Sequence, residues 1–135
     1  MKICGVEIKG SEAIMAVIDL ENDQATSLNI EPKKIALEND EDRNLVKSFF
    51  EAFSGFIRDN QIDRVVIKKR SKKGDYAGGV VTFKIEGLIQ LVEGCSVDLI
   101  APQTISATQK KKHYEPPNNL NKYQEQAFFA AMCSV

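Results

Sequence analysis

An acidic residue inside an apolar strand is the feature that most constrains this chain. Residues 2–8 alternate and are apolar enough for a strand, residues 9–11 form a glycine-containing turn, and residues 13–19 are a second apolar run. This pattern predicts a β-hairpin. Glu7 lies within the first strand, where a buried carboxylate is costly unless another group satisfies it. Glu7 therefore lies either on an open face of the sheet or in a functional site.

The composition is that of a folded protein rather than a disordered tail. The 135 residues, 43% of them hydrophobic and 27% charged, predict one domain over residues 1–135 with a substantial core. The net charge is −1, so any affinity for nucleic acid must come from a local patch. No apolar run approaches the ~20 residues that cross a bilayer, so we expect no membrane partner. The strand pattern at the N-terminus argues against a signal peptide.

The cysteines and the histidine carry no recognisable motif. Cys4, Cys95 and Cys133 are widely spaced and form no C-x-x-C pair. They are typical of reduced residues in a cytoplasmic protein rather than of a zinc site. His113 is the only histidine and lies in a polar stretch, and no local motif supports a Cys–His nucleophile pair.

Alternation and helical spacing predict a regular series of elements over residues 1–101. Asn39 and the three acids after it predict a helix start, because acids are favourable near the positive end of a helix dipole. Asp75 is the predicted cap of the next helix, and Gly94 is its predicted end. The stretch from residue 33 to 39 is predicted as loop, with a strand residue or two near Ile35 and Leu37. The predicted elements are strands over 2–8, 13–19 and 25–31, a helix over 40–59, a strand over 62–69, a helix over 76–93 and a strand over 96–101.

The C-terminal third is predicted as an exposed loop followed by a helix. Residues 103–120 are polar and predict a loop, with a helical turn as an alternative around residues 104–109. Asn121 and Gln124 have the spacing of a capping box, so a helix should run from there to about residue 134. Glu125 begins the apolar stripe of that helix, with Phe128, Phe129 and Met132 after it.

The element order fixes where Glu7 should lie. Three antiparallel strands followed by two right-handed helix crossovers predict an α/β fold with a mixed five-stranded sheet and helices on both faces. The first strand is then central, with the strand over 62–69 parallel beside it. Glu7 should therefore face the end of that strand and the start of the final helix.

This layout resembles the ribonuclease H-like superfamily, and within it the Holliday-junction resolvase (RuvC-like) branch. Residues 5–11 read Gly-Val-Glu-Ile-Lys-Gly-Ser and resemble the family's Gly-Ile-Asp-x-Gly opening. In that branch the strand after the first helix ends Ile-Glu, and the last helix opens Asp-x-x-Asp before small and apolar residues. The resemblance in layout covers nearly the whole chain. It implies an uncharacterised bacterial family with a degenerate active site.

The resemblance implies a cluster of carboxylates that holds two divalent metals for phosphodiester cleavage. Glu7 matches the first-strand acid and Glu125 matches one acid of the last helix. Lys68 matches the acid that ends the strand over 62–69, and Lys122 matches the other last-helix acid. An ammonium repels Mg²⁺ or Mn²⁺, which need hard oxygen ligands.

We therefore expect a pseudo-nuclease that binds no metal cofactor. Lys68 or Lys122 would pair with Glu7 and Glu125 and supply the positive charge that metals supply in active relatives. If the site is active instead, Glu7 and Glu125 are its metal ligands, with Mg²⁺ or Mn²⁺ as the cofactor. A shift of the alignment would offer Asp63 or Asp75 as replacement acids, but Asp63 comes too early in its strand.

Two basic runs can be interpreted either as solvated surface or as phosphate contacts. The first follows the strand over 62–69 and the second, with His113, comes after the strand over 96–101, so both could lie at one end of the sheet. Tyr76 and Tyr114 lie close enough in sequence to stack on bases. The candidate nucleic-acid-binding residues are Lys69, Arg70, Lys72, Lys73, Lys110, Lys111 and Lys112.

Three functions remain open at this point. The first is a non-catalytic domain associated with nucleic acid, and the second is an active metal-dependent nuclease acting on branched or structured nucleic acid. The third is a homodimeric structural or regulatory module without nucleic-acid binding. The phenylalanine-rich first helix could leave apolar surface for such a dimer.

Overall fold

The N-terminal hairpin forms the centre of the sheet. In the computed structural model, which describes residues 1–70 and 79–135, β1 (Lys2–Lys9) pairs antiparallel with β2 (Glu12–Glu21). Gly10 has a φ of 61°, which suits the tight turn between them. Cys4 and Val6 pack into the core on one face of β1, whereas Ile3 packs into the core on the other. Because side chains alternate along a strand, Gly5 and Glu7 share the face of Ile3.

The other strands complete a mixed sheet around β1. The sheet order is β3-β2-β1-β5-β6; β5 is parallel to β1 and β6 is parallel to β5, while β4 pairs with β2 off this path. The mixed sheet with its central first strand confirms the predicted fold class. The short β4 is a sixth strand at Ile35, where only a strand residue or two was predicted, and the third strand ends at Leu28, before the predicted Glu31. These strands are β3 (Gln24–Leu28), β4 (Lys34–Ala36), β5 (Arg64–Lys68) and β6 (Ser96–Ile100).

Helices cover both faces of the sheet. The core on the first face contains α1 and α2 residues such as Phe49, Phe53 and Ile85, and the core on the second face contains Ile105 of α3 and Phe128 of α4. A 3₁₀ turn (Lys122–Gln124) leads into α4. The helices are α1 (Arg43–Asp59), α2 (Val80–Gln90), α3 (Pro102–Lys112) and α4 (Glu125–Met132).

Local capping signals explain where two of the helices start. The Asp42 side chain accepts hydrogen bonds from the backbone N–H groups of Asn44 and Leu45, so α1 starts three residues later than predicted. The predicted capping box is confirmed, since the backbone N–H of Asn121 donates to Gln124 Oε1 at 3.0 Å.

The prediction of an exposed loop over residues 103–120 is wrong for its first part. Residues 102–112 form α3, and Pro102 occupies the first turn, where a proline is pre-organised for a helix. Because Ile105 is the one fully buried residue of α3, the segment has no apolar stripe that would indicate a helix.

The helix predicted over 76–93 is described from Val80 to Gln90. Its predicted cap, Asp75, lies outside the described residues. None of the helices within the described ranges is both long and apolar enough to cross a membrane.

Candidate functional site

The contact between α4 and β1 is unusually close. A Cβ atom added to Gly5 would lie 1.8 Å from the carbonyl oxygen of Ala127 and 2.8 Å from the backbone nitrogen of Ala131. Ala127 and Ala131 are fully buried, so small residues on both elements let the backbone of α4 lie directly on the strand. The first turn of α4 is thereby brought next to Glu7, two residues farther along the same face of β1.

Glu7 and Lys68 form an ion pair on this face of the sheet. The parallel pairing of β1 with β5 matches Val6 with Ile67, so the next residues of the two strands, Glu7 and Lys68, are neighbours. Lys68 Nζ lies 3.6 Å from Glu7 Oε2, and the two side chains are 23% and 19% exposed. The carboxylate in the first strand therefore lies in a half-buried pair rather than on an open face.

Gln126 of α4 is the third member of the site. Lys68 Nζ donates a hydrogen bond to Gln126 Oε1 at 2.9 Å. One ammonium thus connects β5 to β1 and to α4, and an ammonium can donate three hydrogen bonds. We call Glu7, Lys68 and Gln126 the lysine cluster.

Two residues predicted for this site form no ion pair within the described residues. Glu125 is half-buried, but among the described residues its carboxylate has no salt bridge. Neighbouring helix positions differ by about 100° around the axis, so Glu125 and Gln126 lie on opposite flanks of the face that packs on the sheet. Lys122 is exposed in the 3₁₀ turn, and the described residues include no acid paired with it.

Sequence reasoning missed Gln126 because a search for metal-binding acids passes over an amide. One signal could have found it. Gln126 directly precedes Ala127, which shares one helix face with Ala130 and Ala131. A helix face made of such small residues can approach Gly5 most closely.

The residues present do not fit a divalent-metal centre. Mg²⁺ and Mn²⁺ favour several oxygen ligands, with carboxylates prominent among them. Across residues 1–70 and 79–135, no three His, Cys, Asp or Glu side chains are grouped closely enough to hold a metal ion. Glu7 contributes one carboxylate, and the Lys68 ammonium lies beside it where a cation would bind.

The described residues of the first basic run, Lys68 to Arg70, do not form one patch. Lys68 belongs to the lysine cluster, and Lys69 is exposed. Arg70 turns instead to α2, where its guanidinium lies 3.3 Å from Glu86 Oε1 and 3.3 Å from the centre of the Phe83 ring. The Arg70 and Glu86 side chains are only 8% and 10% exposed, so Arg70 is held in a buried ion pair, and its contact with phosphate stays a prediction. Lys72, Lys73 and Tyr76 lie outside the described residues.

The second basic run is exposed at the end of α3. Lys110, Lys111 and Lys112 occupy the last turn, where cations complement the negative end of the helix dipole. His113 follows with a φ of 54°. Tyr114 packs against the core on the α4 side of the sheet and is half-buried.

Comparison with known proteins assigns the chain to a family. The family described as "Protein of unknown function (DUF3010)" matches residues 1–134, and the chain belongs to that family. No curated protein matches the sequence.

Solved structures show the fold. RuvC of Thermus thermophilus has a TM-score of 0.68 at 12% identity, and the match covers 98% of this chain and 92% of that one. The same protein in complex with a Holliday junction substrate has a TM-score of 0.69 at 13% identity, with the same coverage. The Fowlpox virus resolvase in complex with Holliday junction DNA has a TM-score of 0.59 at 19% identity and covers 99% of this chain and 96% of that one. The predicted ribonuclease H-like, resolvase-like fold is therefore confirmed.

Proposed function

We propose that this DUF3010 chain is a resolvase-like domain that associates with nucleic acid without cleaving it. The observation that carries the proposal is the lysine cluster, in which the Lys68 ammonium lies 3.6 Å from Glu7 and donates to Gln126. An amine that is held by an acid and an amide supplies a fixed positive charge where catalysis would need exchangeable metal ions.

The charge distribution supports nucleic acid as the partner. The chain carries a net charge of −1, yet Lys69 and the lysines of α3 are exposed. Lys110 and Gln126 line the same pocket, so one lysine of α3 shares a pocket with a member of the lysine cluster. Two of the similar structures contain Holliday junction DNA, and on this basis we propose branched nucleic acid as the first ligand to test.

Binding is tested by fluorescence anisotropy with a four-way junction and a linear duplex of equal length. We expect affinity to fall steeply between about 50 and 200 mM salt, since phosphate contacts release counterions. The variant Lys111→Glu should weaken binding and reduce the slope against log salt by about 1. Its matched control is Lys47→Glu, an exposed lysine of α1 on the opposite face of the sheet. A salt-independent signal, or equal loss in both variants, would overturn the proposal.

Catalysis is tested separately with the same junction and a supercoiled plasmid. We expect no nicking in Mg²⁺ or Mn²⁺. Cleavage that is lost in Glu7→Gln would overturn the non-catalytic assignment and establish the alternative, an active metal-dependent nuclease.

A second candidate function is a homodimeric structural or regulatory module. It is favoured by apolar side chains along α2, where Val80 is 78% exposed and Leu91, just past the helix, is 66% exposed. Leu91 also borders an apolar pocket of about 260 Å³ that includes Phe50 and Leu88. Light scattering after gel filtration tests this candidate: a dimer that Leu91→Lys converts to monomers supports it, and a monomer at all concentrations excludes it.

A further inference from the structure

A pocket between α3 and α4 adjoins the lysine cluster. Its volume is about 400 Å³, within the range of about 300–1,000 Å³ that is usual for small-molecule sites. One wall is a face of α3 and the other is Gln126 and Phe129 of α4. Because Gln126 also binds Lys68, the pocket and the lysine cluster share a side chain.

The floor of this pocket is apolar and partly aromatic. Ile105 is 3% exposed, and Phe129 is half-buried with its ring centre 5.8 Å from that of Phe128. The neighbouring ring and the core fix the orientation of Phe129, which also lines the pocket. A planar ring of a ligand can stack on an aromatic side chain that is held in this way.

The rim of the pocket carries one lysine ammonium and one imidazole. Lys110 and His113 both line it and are exposed, and Ser106 adds a hydroxyl. No carboxylate is found among the described residues that line the pocket. An anionic group, above all a phosphate, is therefore the favourable partner for this rim.

Two glutamines supply the polar groups between floor and rim. Gln109 Nε2 donates to the carbonyl oxygen of Tyr114, while Gln109 Oε1 is buried without a hydrogen-bond partner among the described residues. Gln126 Oε1 accepts from Lys68, and its amide nitrogen has no hydrogen-bond acceptor within residues 1–70 and 79–135. Because Gln109 Oε1 is buried, the group that a ligand in the pocket can reach is the unused donor of Gln126, which suits an acceptor on the edge of a nucleobase.

We propose that this pocket binds one nucleoside phosphate. The base lies against Phe129, its edge meets Gln126, and the phosphate lies between Lys110 and His113. The ligand is either a free nucleotide or the terminal nucleotide of a single strand. The inference deepens the proposed function, since it names where one nucleotide of a bound strand would be held.

The test is a titration of the ¹⁵N-labelled full chain with four probes: AMP, adenosine, inorganic phosphate and a 5′-phosphorylated tetranucleotide. We expect AMP to bind saturably and to shift the side-chain amide signals of Gln109 and Gln126. Adenosine and phosphate should each bind about tenfold more weakly than AMP, because each has only half of the contacts. If AMP binds at least as tightly as the tetranucleotide, the ligand is a free nucleotide. If the tetranucleotide binds more tightly than AMP, the ligand is the end of a strand.

Variants separate the pocket from general charge effects. Lys110→Glu and Phe129→Leu should each weaken AMP binding about tenfold, and Phe129→Leu keeps an apolar side chain so that the fold is retained. Lys47→Glu, on the opposite face of the sheet, should leave AMP binding unchanged. The inference is overturned if neither AMP nor the tetranucleotide shifts the two glutamine amides, or if Lys47→Glu weakens AMP binding as much as Lys110→Glu does.

These results are independent of the junction-binding experiment. If the protein binds AMP saturably but binds neither the junction nor the duplex, nucleotide binding in the pocket is supported and the proposed function is rejected. Salt-dependent junction binding without any AMP or tetranucleotide binding would uphold the function and reject the pocket.

Discussion

Lys68 and Glu7 face each other across two parallel strands, with Nζ 3.6 Å from Oε2, on the side of the sheet that α4 covers. Gln126 of α4 accepts a hydrogen bond from the same ammonium. The resolvase-like fold thus brings the end of β5, the middle of β1 and the start of the last helix to one place. In this chain the Lys68 ammonium occupies that position.

The first prediction concerns the energetic coupling of this pair. Lys68→Met should lower the free energy of unfolding by about 1–2 kcal/mol, less than for a fully buried pair because both side chains are about one-fifth exposed. Glu7→Gln combined with Lys68→Met should cost less than the sum of the two single variants, with a coupling of about 0.5 kcal/mol or more. Urea unfolding of the four proteins measures this, and strictly additive effects would contradict it.

The second prediction is that a metal site can be rebuilt. The double variant Lys68→Glu with Gln126→Asp replaces the cation and the amide with oxygen ligands next to Glu7. We expect Mn²⁺ to raise the melting temperature of this variant, because binding to the native state stabilises it. The matched control is Lys69→Glu, which adds an exposed acid next in sequence. A Mn²⁺ effect of equal size in the unmodified protein would mean that the lysine cluster is itself a metal site.

The third prediction separates the adjacent cations Lys69 and Arg70. Arg70→Ala leaves Glu86, only 10% exposed, without its guanidinium, and should destabilise the chain by about 3 kcal/mol. Lys69→Ala, at an exposed position, should change stability by less than about 0.5 kcal/mol. Chemical denaturation measures the free energy of unfolding of both variants. Equal, small effects would mean that the Arg70–Glu86 pair contributes little.

The fourth prediction compares two glycines. Gly5→Ala would place a Cβ 1.8 Å from the Ala127 carbonyl oxygen, so α4 must move off the sheet and stability should fall by more than about 3 kcal/mol. Gly87→Ala lies in α2, where a Cβ would meet nothing within 4 Å, and should stabilise by about 0.5–1 kcal/mol. Thermal unfolding measures the loss of stability expected for Gly5→Ala and the gain expected for Gly87→Ala. A Gly5→Ala protein of normal stability would contradict the close contact.

The fifth prediction is a loss of stability at alkaline pH. Burial raises the pKa of the Cys4 thiol well above its usual value of 9.0, and the nearby Cys95 contributes in the same direction. The stabilising contribution is fully present below pH 9.0 and is lost as the pH rises further, because the unfolded chain then loses a proton that the folded chain keeps. Cys4→Ala should show a shallower decline between about pH 8.5 and 10.5 than the unmodified protein. Identical pH profiles would rule out this contribution.

The order of elements follows from the sequence because it depends on local patterns. The alternation of apolar residues identifies the hairpin of β1 and β2, and their helical spacing identifies α1. The capping box of Asn121 and Gln124 identifies the start of the last helix. The crossover rule then makes β5 parallel to β1, as found. These patterns repeat within a few residues, so they can be recognised without knowledge of the tertiary contacts.

The helix α3 shows where local patterns end. Its single fully buried residue, Ile105, gives no stripe, and Pro102 is equally suited to stopping a strand and to starting a helix.

The membership of the site was decided by tertiary structure alone. The sequence determined that an acid in the first strand, a lysine at the end of the fourth predicted strand and the start of the last helix should converge. Whether Glu125 or Gln126 meets that lysine depends on the rotation of α4 about its axis, where one residue is about 100°. The packing of Ala127 and Ala131 on Gly5 sets that rotation. Likewise, Arg70 pairs with Glu86 because the fold places α2 next to the end of β5. Such contacts join residues far apart in the chain, and no short pattern encodes their geometry.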